Sequence, residues 1–125
     1  MLEIITIPKD SYLYIKSSGI QDSLLAHKEH AKAIFGEIQK HQYDKVLYDE
    51  LDVNFQAKFS DLVHLLDAYN EDAPNIPEMK FAAVLQFEHR DLGVFWESSM
   101  RRHGYNFRLF HSVAGADKWL RGREF

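Results

Sequence analysis

The run Phe81-Ala82-Ala83-Val84-Leu85 limits the fold more than any other stretch of the chain. It is apolar at every position and has the length of a strand. A strand with one wet face alternates apolar and polar residues, whereas an unbroken apolar run suits a central strand covered on both faces. Such a strand needs other layers packed on either side of its sheet, and its alanines let helices approach closely. A second run, Lys45-Val46-Leu47-Tyr48-Asp49-Glu50, reads as a short buried strand that ends abruptly in acid.

The segments around these runs supply the other layers. Leu2 to Ile7 and Tyr12 to Lys16 are rich in branched and aromatic residues, and the turn residues Pro8-Lys9-Asp10-Ser11 lie between them. They predict an antiparallel hairpin, with Gly19 closing the second strand. Leu24, Ala31, Ile34, Phe35 and Ile38 recur at helical spacing, so a helix is expected over about 23–40, capped by Asp22 or Ser23. Asp52 to Lys58 has no clear period and reads as a connection. Ser60 then caps a second helix bearing Leu62, Leu65, Leu66 and Tyr69, and Pro74 and Pro77 bracket a loop. Asp91 is expected to cap a third helix with Leu92, Phe95, Trp96, Ser99 and His103 on one side, stopped by Gly104. Tyr105 to His111 is the last strand, and Ser112 caps a final helix carrying Ala116, Trp119 and Leu120, ended by Gly122.

The resulting order is β-β-α-β-α-β-α-β-α. Alternating units predict an α/β fold with a mixed, mostly parallel sheet and helices packed on it. The length of 125 residues, without linker or repeat, fits a single domain spanning 1–125. Nine Phe, six Tyr and two Trp argue for a packed core and against disorder.

Several function classes drop out on composition. The net charge is −4 and there is no basic run, so no nucleic-acid footprint is expected. Cysteine is absent, which removes disulfides, thiolate metal sites and a cysteine nucleophile. Met1-Leu2-Glu3-Ile4 has an acid where a signal peptide carries bases, and no apolar run approaches the ~20 residues of a membrane span. The expectation is a cytoplasmic protein without an integral membrane segment.

Asp49, Glu50 and Asp52 cluster at the carboxyl end of a predicted parallel strand, where open α/β sheets bind ligands. If extension persists, Glu50 and Asp52 share one strand face and Asp49 takes the other. Three acids without a defined ligand set make a solvated strand cap a simpler reading than a magnesium site. His27 and His30 lie one helical turn apart, but two histidines fall short of a zinc site and His27 lies within the apolar stripe. Glu88-His89-Arg90-Asp91 follows a central strand on the same sheet edge and reads as a solvated turn, with a polar rim beside the acids as the functional alternative. Phe55 and Phe59 either line a crevice or dock a partner, or tuck their connection onto the core. Trp96 and Trp119 sit on helical stripes and read as core. No catalytic order of residues is readable, so no catalytic residue, metal or cofactor is expected. A homodimer through the hairpin edge or an apolar helix face stays open.

The chain resembles the SpoIIAA-like family of small bacterial proteins, within the STAS-type domains of anti-sigma-factor antagonists. Three stretches carry the resemblance: Val46-Leu47-Tyr48-Asp49, Phe81-Ala82-Ala83-Val84, and Phe107-Arg108-Leu109-Phe110 followed by Ala116-Asp117-Lys118-Trp119-Leu120. The last pairing is the most specific. The resemblance spans nearly the whole chain and implies a SpoIIAA-like, STAS-like fold and a non-enzymatic regulatory module that engages a protein partner. In anti-sigma-factor antagonists a phosphorylatable serine starts the helix after the central strand. Ser60 in Phe59-Ser60-Asp61-Leu62 is its counterpart, lacking the preceding Asp and the following Gly of that motif. A phosphate there would meet a helix N-terminus that favours it. The family is also compared with CRAL-TRIO lipid-transfer domains, which implies a carrier of a small apolar ligand as the alternative. The expected binding surface comprises Asp49, Glu50, Asp52, Phe55, Phe59 and Ser60.

Overall fold

The structure, a computed structural model, describes residues 2–56, 60, 79–102 and 104–122. Among them five strands form one sheet: β1 (Leu2–Pro8), β2 (Leu13–Gln21), β3 (Lys45–Phe55), β4 (Lys80–Val84) and β5 (Asn106–Phe110). They stand in the sheet in chain order. β1 pairs antiparallel with β2, and every later pairing is parallel. Helices α1 (Leu24–His41), α2 (Arg90–Arg102) and α3 (Val113–Leu120) join them, with a 3-10 turn over Phe87–His89 leading into α2.

The caps follow from local chemistry. The Ser23 hydroxyl accepts the Ala26 N–H at 3.1 Å and the Ser112 hydroxyl accepts the Gly115 N–H at 3.1 Å. Gly104, after the last turn of α2, has φ 91°, a conformation glycine adopts without strain. Asp91 is a correction: α2 begins at Arg90, so Asp91 lies in its first turn, where its charge favours the helix dipole.

Two strands run further than expected. β2 does not close at Gly19 but passes through it to Gln21, Gly19 taking φ 121° within the strand. β3 does not end in acid at Glu50. It continues through Asp52 to Phe55, pairing with the extra length of β2, so most of the stretch read as a connection is strand. The helix expected after Ser60, the Pro74–Pro77 loop, Phe59 and His103 lie outside the described residues, and Ser60 itself is exposed.

The sheet divides two cores, as the unbroken β4 run requires. On one face Leu13, Ile15, Val46, Tyr48, Phe81, Ala83 and Phe107 pack with Ile34 and Ile38 of α1 and Met100 of α2. On the other, Tyr12, Leu47, Ala82 and Val84 pack with Ala116 and Leu120 of α3. Alternate residues of β4 thus serve opposite cores. No helix among the described residues is long and apolar enough to cross a membrane.

α2 meets the sheet closely at Gly93, a position the helical stripe did not single out. A Cβ there would stand 2.7 Å and 2.8 Å from the two Leu109 methyls and 2.8 Å from Leu85 Cδ1. Glycine inside a helix costs about 1 kcal/mol relative to alanine, and the close approach explains its presence. Gly93→Val is expected to overpack this seam and lower stability by about 1–3 kcal/mol, read by urea unfolding. Unchanged stability would show that the leucines yield freely.

Candidate functional site

The site is organised by an irregularity in β3. Lys16 pairs with Asp49 and Ser18 with Asp52, so two residues of β3, Glu50 and Leu51, stand opposite one of β2, Ser17. This is a β-bulge, which leaves backbone groups outside the regular ladder. Side chains take up those of Leu51. Its N–H donates to Asp49 Oδ1 at 3.2 Å, and its carbonyl accepts from the Gln86 amide. Asp49 also accepts a hydrogen bond from the Tyr14 hydroxyl. Burial, and then this bonded carboxylate, raise the Tyr14 phenol well above its ordinary range.

The bulge reverses the facing of the residues after it. Glu50 points to the α1 side, whereas Asp52 pairs with Lys16 at 3.2 Å on the other face, in a solvent-exposed ion pair. Glu50 and Asp52 therefore do not share a face, contrary to the expectation from simple alternation. Phe55, three residues beyond Asp52, comes back to the α1 side. The three acids have separate roles: Asp49 is buried and holds the bulge, Asp52 is a surface charge, and Glu50 enters a cavity.

That cavity lies between the sheet, α1 and α2, with about 70 Å³ open to the centre of a water-sized group. Ala31 and Ile34 of α1, Leu92, Gly93 and Trp96 of α2, and Tyr48, Phe55, Ala83, Leu85 and Phe107 give it an apolar wall. Gln21, His27, His30 and Glu50 form its polar part.

The polar part is wired around His30. Gln21 Nε2 lies 2.9 Å from His30 Nδ1, and Ser17 Oγ lies 2.7 Å from His30 Nε2. Glu50 Oε2 stands 3.9 Å from the same Nε2. The carboxyl favours the tautomer with the proton on Nε2, leaving Nδ1 to accept from the Gln21 amide. Gln21 Oε1 is then a buried acceptor with no hydrogen-bond partner among the described residues. Burial, and then the neighbouring His27, push the His30 imidazole down to about 4. Burial, and then Asp49, push the Glu50 carboxyl up to about 7. Both groups are driven towards their neutral forms, because a charge stripped of water is unfavourable.

This arrangement is no hydrolytic triad. Ser17 and Glu50 both approach the same nitrogen of His30, and Ser17 is almost wholly buried. A triad needs its acid on the other nitrogen and an accessible nucleophile. Asp49, Glu50 and His89 do not converge either. His89 packs edge-on against Phe55, with ring centroids 5.4 Å apart, while Asp49 lies across the sheet from Glu50. The turn after β4 thus meets the end of β3 through Gln86 and His89, as an apolar and amide contact. No group of three His, Asp or Glu among the described residues could hold a metal ion.

Sequence reasoning missed Ser17 and Gln21, although a signal was present. They continue the inward parity of Leu13 and Ile15, and extending β2 through Gly19 would have placed two polar residues on the buried face. His27 and His30 were singled out as a pair, and both are buried on α1.

Comparison with solved structures gives the fold its kin. An anti-sigma factor antagonist from Mycobacterium paratuberculosis superposes with a TM-score of 0.67 at 16% identity, over 97% of this chain and 95% of that one. An uncharacterised protein with a SpoIIAA-like fold from Shewanella loihica superposes with a TM-score of 0.59 at 14% identity, over 95% and 93% of the two chains. The chain has the SpoIIAA-like fold. No family model matches the sequence, and no curated protein does. The mixed, mostly parallel sheet expected from the sequence is met in the structure, with the helices expected after the second, fourth and fifth strands, whereas the helix expected after Ser60 lies outside the described residues.

Two expectations follow from the site. Asp49→Ala strips the bulge of its support and leaves the Tyr14 hydroxyl unpaired, lowering stability by about 2–3 kcal/mol, whereas Asp52→Ala costs under about 1 kcal/mol. Equal losses in urea unfolding would refute the division of roles. The second concerns pH. Between about 4.5 and 7 the unfolded chain ionises Glu50 before the folded one, so Glu50 makes stability fall as pH rises. Between about 4 and 6.5 the unfolded chain protonates His30 before the folded one, so His30 makes stability rise with pH. The two slopes oppose each other where they overlap. Glu50→Gln should uncover the rising His30 slope and add roughly 2–3 kcal/mol at about pH 8. A stability–pH curve identical to that of the unsubstituted protein would contradict the burial of both groups.

Proposed function

We propose that this protein is a non-enzymatic regulatory module of the SpoIIAA-like kind, which acts by docking on a protein partner. The observation that carries this reading is the whole-length likeness to an anti-sigma factor antagonist. The docking surface lies at the carboxyl end of β3 and the segment after it. Exposed Asp52 and Ser60 and half-buried Phe55 belong to it, together with Phe59. By the sequence resemblance Ser60 is the counterpart of the antagonists' switch serine, and a phosphate on it would add negative charge to an already acidic segment.

The cavity favours a second reading, a carrier of a small apolar ligand. Its wall is largely aliphatic and aromatic and carries few polar groups, the composition expected of small-molecule sites. The volume suits a compact ligand rather than a long lipid chain.

One measurement separates the readings. Native mass spectrometry of the untagged protein, purified gently from its own host, is expected to retain a second polypeptide. Phe55→Ala and Ser60→Glu should each weaken that complex about tenfold or more. Full partner binding by both variants would rule the surface out. A retained mass of a few hundred daltons in place of a polypeptide would favour the carrier, and the same spectrum counts the chains in any homodimer.

A further inference from the structure

The cavity carries more than a preference for apolar matter. Its polar groups are unequal in kind. The His30 Nε2 proton is directed at Ser17 Oγ and Glu50, and Nδ1 is used by Gln21. What remains for an occupant is acceptor capacity: the Glu50 carboxyl, without a hydrogen bond of its own among the described residues, and Gln21 Oε1, buried and unpartnered. Gln21 is 3% exposed. A buried acceptor left without a donor is unfavourable; Tyr48, Trp96 and His27 are the other lining residues with groups able to donate.

We infer that the cavity binds a small amphiphile with an apolar body and an ammonium head, the head meeting Glu50 and the body lying against Trp96, Phe55 and Leu85. An ammonium supplies three donors and no acceptor, which complements a wall that offers acceptors. Its charge stabilises the carboxylate that burial alone disfavours, so ligand and Glu50 become ionised together. A carboxylate ligand would meet Glu50 as a like charge, and an alcohol would add no charge to offset its ionisation. The titratable groups around Glu50 are His30 and His27 from α1 and Tyr48 in β3, with Asp49 adjacent in the strand on the opposite face. α2 presents Leu92, Gly93 and Trp96 to the cavity.

This inference rests on the carrier reading and sharpens it, and one experiment separates their failures. n-Hexylamine, n-hexanol and hexanoate are titrated into the full chain at about pH 8, followed by the NMR signals of the Trp96 indole N–H and the Gln21 side-chain amide. Hexylamine is expected to bind about tenfold or more tightly than hexanol, with hexanoate weakest, and to shift both signals. Glu50→Gln should remove the preference for the amine while hexanol binding persists, which shows the cavity intact. Hexanol or hexanoate binding as tightly as hexylamine would overturn the ammonium head and leave the carrier standing. An amine preference that survives Glu50→Gln would overturn the role of Glu50. No shift of either signal by any of the three would overturn both readings.

Discussion

The bulge in β3 is the constraint on which the site depends. A regular strand would carry Glu50 and Asp52 on one face and send Phe55 to the other. The extra residue opposite Ser17 breaks that parity, so Glu50 and Phe55 both reach the cavity while Asp52 is left in solvent. The irregularity persists because the Leu51 backbone groups are satisfied from two directions, by Asp49 in the same strand and Gln86 after β4. Asp49 in turn is anchored by Tyr14 of β2. A bulge lacking these partners would leave buried polar groups unpaired, at roughly 1–3 kcal/mol each.

The cavity combines features that elsewhere exclude one another. A carboxyl and two imidazoles lie among Ile34, Ala83, Phe107 and Trp96, where charge is poorly tolerated. Burial drives His30 and Glu50 towards their neutral forms. His30 has both ring nitrogens engaged, and Glu50 is held as an acid over the range where most carboxyls are ionised. A purely structural core at this place would be more stable if filled with hydrocarbon.

Much of the architecture was legible because it rests on local patterns. The unbroken Phe81–Leu85 run, the apolar stripe of α1 and the serines at 23 and 112 report period and capping chemistry that neighbours in sequence decide alone. The site was less legible because it depends on register. Gly19 looked like an ending, yet β2 and β3 lengthen together by pairing with each other, and no local signal in either strand announces that. The bulge has no sequence signature of its own. Among the expected surface residues, Asp49 proved to be a buried support and Glu50 a cavity group, and only Asp52 met the picture of a solvated acid. Gln21 and His30 are nine residues apart in the chain, separated by a strand end and a helix start, and only the fold brings them together.

The strand order has a consequence for how such a chain is made. Among the described residues every strand pairs with the one before it in sequence, from the antiparallel β1 to β5 at the other end of the order. No strand has to be inserted between two that are already joined. During synthesis the sheet can grow at one open margin, each new strand finding its template complete. The cavity, by contrast, needs β5 to supply Phe107 and α2 to supply Trp96, so it is closed only after both of these later elements have left the ribosome.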